Sequence, residues 1–409
     1  MDARLLEDLA DVYRDLHANP ELGFAETRTA AIVAERLRAI GFDVTEGVGV
    51  TGVVGVLDRG TGPVVLLRAD MDALPVAEET GLPYASVATG QLDGKEVPVM
   101  HACGHDMHVT ALLGALTVLA AQDDWSGRIL AVFQPAEETG GGARAMIDDR
   151  IFERFGKPDV VLGQHIAPLP AGAIGLRAGA SFAASDAIEI TLYGRGGHGS
   201  RPEVTVDPVV MAAAVIMRLQ TVVSREIAAT EVAVLTVGAV HAGEAPNVIP
   251  DSATLQLSIR SYDPAVRDRV VAAIERIVRG EAAAAGADRE PEIRLLYALP
   301  AVRNDKAAVT RVGSAFASEL EGVLVVDPGL ITGSEDVGLF SDVAGVPIVY
   351  WVLGSSDPAL FAGLATFPEI AERVMALPSN HSPQFAPVIE PTLSIGIRAL
   401  VTATRDWLV

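Results

Sequence analysis

The chain has 409 residues, enough for two or three domains, and its 50% hydrophobic and 21% charged residues are those of an ordinary folded protein, neither disordered nor fibrous. Against 31 Lys+Arg stand 53 Asp+Glu, a formal net charge of -22, which excludes a general nucleic-acid binder, since that role needs a clustered basic surface to displace phosphate counterions, and argues against docking on an anionic membrane. Cys103 is the only cysteine, so no intrachain disulfide can form and a reducing, cytoplasmic setting is expected.

The first residues, Met1 to Asp8, lack the basic and then apolar run of a signal peptide, so export is not expected. Leu5, Leu6, Leu9, Val12, Tyr13 and Leu16 recur at helical spacing, and a second helix runs from about Glu26 to Ile40 and stops at Gly41. Val53 to Leu57 and Val64 to Leu67 read as strands, the second unbroken enough to be buried on both faces. The longest apolar stretch, Val109 to Ala121, is shorter than the roughly 18 residues of a bilayer span and reads as a buried helix. Ile129 to Phe133, a helix near Ala143 to Ile147, and Val160 to Leu162 continue an alternation that specifies an α/β sheet with helices on both sides.

The middle of the chain differs in texture. Ala187 to Tyr193 alternates as a half-buried strand, Asp207-Pro208 caps a helix reaching about Val223, Val232 to Val240 and Leu255 to Ile259 read as strands, and Pro264 opens a helix that ends near Gly286. The α/β pattern returns with Val323 to Val326, Ile348 to Val352 and a final helix from about Thr392. The expected architecture is a discontinuous α/β domain, 1–182 and 296–409, with a mixed, mostly parallel sheet flanked by helices, carrying an inserted smaller α+β domain over 183–295.

Five polar clusters follow core strand signals: Asp70-Met71-Asp72, Met100 to Asp106, Gln134-Pro135-Ala136-Glu137-Glu138, Gly163-Gln164-His165, and Ser379 to Pro383. In open α/β sheets ligands bind outside the carboxyl ends of the strands, so parallel strands bring these clusters to one site. Their chemistry is that of metal ligands. Cys103 and His105, one residue apart, can place sulfur and imidazole on one centre or on two adjacent ones. Glu137 and Glu138 point in different directions from adjacent positions, so one can bind metal while the other works as a base, the division that metal-assisted hydrolysis requires.

Blander readings exist for each. A lone cysteine is commonly a small buried hydrophobe; as a nucleophile paired with His105, Cys103 lacks an evident orienting group or oxyanion donor. His17, His101, His108 and His241 read as loop or packing residues, and Asp106 as a helix cap or a partner of a ligand. Gly140-Gly141-Gly142 and Gly194-Arg195-Gly196-Gly197 lack the Lys-Ser/Thr of a phosphate loop.

At these motifs the sequence resembles the M20 metallopeptidase family, in the amidohydrolase branch of hippurate hydrolases, N-acyl-amino-acid amidohydrolases and auxin-conjugate hydrolases. The resemblance runs from Leu16-His17-Ala18-Asn19-Pro20-Glu21-Leu22 through Arg68 to Pro75, Met100 to Asp106 and Gln134 to Glu138. It continues with Gly196-Gly197-His198-Gly199-Ser200, Pro246-Asn247-Val248-Ile249-Pro250, Gly333-Ser334-Glu335-Asp336 and His381-Ser382-Pro383. It implies that 1–182 and 296–409 form a catalytic metal-binding domain and 183–295 a lid or dimerisation domain. Cys103, His105, Glu138, His165 and His381 are the implied ligands of two divalent ions per subunit, with Glu137 as general base toward a metal-activated water. His198, from this chain or a partner subunit, is the implied oxyanion donor, Asn247 and Arg260 the implied grip on the substrate carboxylate, and Asp72 the aspartate that orients a ligand, although Asp70 stands where the family more often has His. Zinc suits the thiolate, and manganese, cobalt and nickel suit the nitrogen and oxygen donors. The implied substrate is an N-acyl amino acid, and a homodimer through the insertion is expected. The rivals are a dipeptidase or carboxypeptidase using the same site, and a non-catalytic relative, which should have lost the base or several ligands.

Overall fold

The computed structural model describes residues 2–408, Phe367 by its backbone alone. The chain divides into two compact units: Met1–Gly179, Arg303–Gly329 and Asp336–Val409 form the first, and Ala180–Val302 with Leu330–Glu335 the second. The divisions at 179/180 and 302/303 replace the 182/183 and 295/296 suggested by sequence, and Leu330–Glu335, expected with the first unit, goes with the second. The later division moves because Glu292–Leu299, which carries no clear alternation of polar and apolar residues, is an edge strand of the second unit's sheet.

The first unit is a mixed α/β layer structure. Four parallel strands form the centre of its eight-stranded sheet, in the order Arg128–Gln134, Val64–Asp70, Val160–Pro170, Ile348–Ser356. Gly52–Asp58 runs antiparallel on one side and Ala173–Gly175 on the other. These strands are buried on both faces because both are covered. Val65, Leu67 and Ala69 join the main core with helices Ala3–Ala18, His105–Ala120 and Thr392–Trp407, whereas Leu66, Arg68 and Asp70 take the opposite face, as the two-residue period of a strand requires. Helix His105–Ala120 is buried almost all round, as its sequence leads one to expect.

The second unit is α+β. Its antiparallel sheet, in the order Ala233–His241, Ser252–Ser261, Ala184–Tyr193, Glu292–Leu299, buries Ile188, Ile190, Leu192, Leu255, Leu257 and Ile259 in one core with helices Pro208–Thr221 and Pro264–Ala284. Both helices start with Asp-Pro, the aspartate accepting a backbone N–H and the proline filling a position whose N–H has no intrahelical partner. Among the described residues Pro208–Glu226 is the helical segment long and apolar enough to span a bilayer; it packs Met211, Ala212, Val215, Leu219 and Val222 into this core.

Candidate active site

All five polar clusters meet at one end of the parallel strands. Asp70 and Gln134 end their strands and are paired in register. His165 lies inside a longer strand than its sequence suggests, Val160–Pro170, but the register of Arg68 with Gly163 sets it level with Asp70. Cys103 and His105 straddle Gly104, which begins helix His105–Ala120 with φ 82°, and a Cβ there would lie 2.1 Å from the Ile166 Cδ1. Only glycine fits both demands. The Ser379–Pro383 cluster follows helix Phe367–Ala376 rather than a strand, and is held by the Asn380 amide, which donates to the carbonyls of Cys103 at 3.1 Å and Ile166 at 3.2 Å, and by the His381 N–H on the Ala102 carbonyl.

The five expected ligands gather around Cys103. The donor atoms of Cys103, His105 and His165 lie within 4.8 Å of one another, as do those of Cys103, Glu138 and His381, and those of His105, Glu137 and Glu138. The first two groups share only Cys103. Both ring nitrogens of His105 and Oε1 of Glu138 are buried without a hydrogen-bond partner, a costly condition for polar atoms unless something electropositive is to occupy the space. His165 Nδ1 donates to the Ile166 carbonyl at 2.7 Å, which leaves the lone pair on Nε2, 3.5 Å from Cys103 Sγ. That is the tautomer of a metal ligand. Burial and then the Glu138 charge push the Cys103 thiol up, while hydrogen bonds with Cys103 and Glu138 raise His381 to about 10. Sulfur, imidazole and carboxylate donors in two groups joined at a cysteine fit a pair of divalent ions.

In a further group, Asp70, His105 and His108, Asp70 and His108 are already committed to other partners. His108 Nε2 accepts the Ile166 N–H at 2.9 Å, so its Nδ1 carries the proton and donates to Asp70 Oδ1 at 2.5 Å. Asp70 Oδ2 accepts from Arg68 at 2.6 Å, and Arg68 donates further to Gln134 and Asp336. Asp70, which stands where the resemblance led one to expect His, therefore anchors a buried network. Asp72 accepts the backbone N–H groups of Glu137 and Glu138 at 3.0 Å each and faces His105 Nδ1 at 3.3 Å, so it holds the turn of the paired glutamates against the His105 ring.

Sequence reasoning missed several supporting groups. His108 and His17 are not packing residues. His17 is buried with Nδ1 2.7 Å from Asp106 Oδ2 and Nε2 3.1 Å from Glu78 Oε1, and Asp106 immediately follows His105. The Asp and Glu spacings give no clue, since the partners are far apart in sequence. His101 is buried too, neither ring nitrogen has a hydrogen-bond partner, and burial lowers it to about 4.

His198 and Asn247 share a ribbon of the second unit, in which Gly197 pairs with Ile249 and His198 with Val248, and the Gly199 N–H meets the Asn247 carbonyl. His198 Nδ1 accepts the Ser200 N–H at 3.1 Å, so the neutral ring carries its proton on Nε2. Arg260 donates to the Ser334 hydroxyl, which places it beside the Gly333-Ser334-Glu335 motif within the same unit.

The family model "Peptidase family M20/M25/M40" matches residues 66–366. The hippurate hydrolase of Campylobacter jejuni is 42% identical over 340 residues, covering 81% of this chain and 84% of that protein. Thermostable carboxypeptidase 1 of Saccharolobus solfataricus is 36% identical over 406 residues, 97% of this chain and 95% of that one. The solved structure of a Bacillus subtilis dinuclear metal binding peptidase from the M20 family superposes over 100% of both chains with a TM-score of 0.78 and 28% identity. The chain belongs to peptidase family M20/M25/M40, in its amidohydrolase branch.

Proposed function

We propose that this chain is a metal-dependent amidohydrolase that cleaves the amide bond of N-acyl amino acids, N-acetyl, N-benzoyl or similar conjugates, with Glu137 as general base. The observation that carries the reading is the geometry around Cys103: two donor groups sharing one thiol, with Glu137 beside the ligand Glu138 and both amides seated on Asp72. Cys103, His105, Glu138, His165 and His381 would hold two divalent ions, zinc by the preference of a thiolate and manganese, cobalt or nickel by that of the other donors. Bound there, the ions supply acidification of a water molecule and polarisation of the amide carbonyl.

The protein's own share is proton transfer and placement. Glu137, mostly buried, takes the proton of the attacking water and returns it to the leaving nitrogen, which a carboxylate fixed at its backbone can do without reorganising. His198, with its proton on Nε2, serves as the donor to the oxyanion, from this chain's second unit or that of another copy. Asn247 and Arg260 grip the substrate carboxylate. A homodimer through the second unit and a cytoplasmic setting complete the reading.

The test is turnover of N-acetyl amino acids, N-benzoylglycine and dipeptides by metal-stripped protein reloaded separately with zinc, manganese and cobalt. Turnover of the N-acyl amino acids that requires metal supports the reading. Turnover confined to peptides moves the assignment to the carboxypeptidase activity for which the Saccharolobus relative is named.

A further inference from the structure

Glu26 stands immediately before helix Thr27–Ala39, yet its side chain makes no capping bond there. It is fully buried and has no role in the chemistry above. Its Oε1 accepts the Ala136 N–H at 2.8 Å and its Oε2 the Thr51 hydroxyl at 2.5 Å. Asp72 accepts the next two amides, those of Glu137 and Glu138. Three successive N–H groups of the turn that carries the base and a ligand therefore rest on two buried carboxylates. On its other side the turn closes on itself, with Gly140 donating to the Glu137 carbonyl at 2.7 Å and Gly142 to that of Ala136 at 3.1 Å.

Ala136 sits at φ 48°, a left-handed conformation that residues with a Cβ rarely adopt and that persists only where its surroundings hold it. Glu26 is one of those holds. Close packing is the other: a Cβ on Gly23 would lie 3.1 Å from Ala136 Cα and 3.4 Å from Asp72 Oδ2, so this segment packs tightly against the turn. Burial pushes the Glu26 carboxyl up, a penalty that an apolar side chain filling the same space would not carry.

We infer that Glu26 is a positioning residue for the reaction: through the Ala136 amide it sets the backbone of Glu137 and so the place of the catalytic carboxylate. The inference rests on Glu137 being the base. A residue in this role acts on the transition state more than on substrate affinity, because a displacement of about 1 Å in a catalytic group costs on the order of 100-fold in rate.

The experiment compares Glu26→Ala, Glu26→Gln, Thr51→Val and Glu137→Gln as metal-loaded full-length proteins. It measures kcat and KM for N-benzoylglycine or the best N-acetyl amino acid of the panel, together with bound metal and melting temperature. For Glu26→Ala the expected result is a kcat lower by roughly 10- to 100-fold with KM within about twofold, and two metals still bound. Glu26→Gln should recover most of the loss, since its amide oxygen accepts the Ala136 N–H and its NH2 can donate to Thr51 Oγ. A kcat for Glu26→Ala near wild type overturns the inference, as does a joint loss of kcat, metal and melting temperature that Glu26→Gln fails to reverse. Should Glu26→Ala not fold, Thr51→Val decides: lower kcat at unchanged KM supports positioning, and unchanged kcat overturns it. An active Glu137→Gln overturns the function reading itself, and the inference with it; an inactive Glu137→Gln beside a fully active Glu26→Ala overturns the inference alone.

Discussion

Removing the His17 imidazole should take away a large share of the first unit's dependence on alkaline pH. The ring is fully buried and each nitrogen meets a carboxylate, Asp106 at 2.7 Å and Glu78 at 3.1 Å. Since carboxylates only accept, both nitrogens donate and the ring is an imidazolium. Burial alone would lower its pKa, but the Asp106 hydrogen bond and charge, and then those of Glu78, raise it from 6.5 to about 10. With the folded value above the unfolded one, the stabilisation is complete below about pH 6.5 and is lost progressively as pH rises through about 10. At 1.36 kcal/mol per pH unit the gap corresponds to an upper figure on the order of 5 kcal/mol. Urea unfolding of metal-stripped protein between pH 6 and 10.5 measures it. The three tryptophans, Trp125, Trp351 and Trp407, all lie in the first unit, so their fluorescence reports that unit. The stability difference between wild type and His17→Gln, which keeps a donor but cannot titrate, should shrink by several kcal/mol across that range. A difference constant to within about 1 kcal/mol would refute the charged-ring argument.

Two further perturbations probe the groups beneath the site. Asp72→Ala leaves the Glu137 and Glu138 amides without their charged acceptor and should destabilise the first unit by about 3–5 kcal/mol while weakening metal affinity roughly 10- to 100-fold; competition with a chelator measures the second effect, and unchanged affinity would contradict the role given to Asp72. Arg68→Met strips a guanidinium that is 1% exposed from Asp70 and Asp336, both 0% exposed in their side chains, and should cost about 3–5 kcal/mol in denaturant unfolding, an account that a loss under about 1 kcal/mol would overturn.

Much of the fold was legible in the sequence because the first unit's strands are apolar runs with no polar face, and the buried helix His105–Ala120 is apolar all round. Helix Lys306–Glu319 and strand Glu292–Leu299 escaped notice for the opposite reason. The helix buries only four residues, and the strand is an edge with one buried residue, so neither leaves a strong periodic signal. In the site, Cys103, His105, Glu137 and Glu138 stood out through spacing and pairing within a few residues. What spacing cannot reveal is partnership across the chain: Glu26 with Ala136, His17 with Asp106, and His108 with the amide beside His165 are separated by 110, 89 and 58 positions. Such contacts exist only once the sheet has brought its strand ends together.

In the proposed function Glu137 moves the proton at a two-metal centre built on Cys103. Turnover of N-benzoylglycine by Glu137→Gln, with bound metal counted in the same sample, tests it most directly. Glutamine keeps the shape and the backbone contacts to Asp72 but cannot take a proton. The expected result is two ions per chain, as in wild type, with kcat lower by about 100- to 10,000-fold; a variant that binds both ions and turns over within about tenfold of wild type would rule out Glu137 as the base.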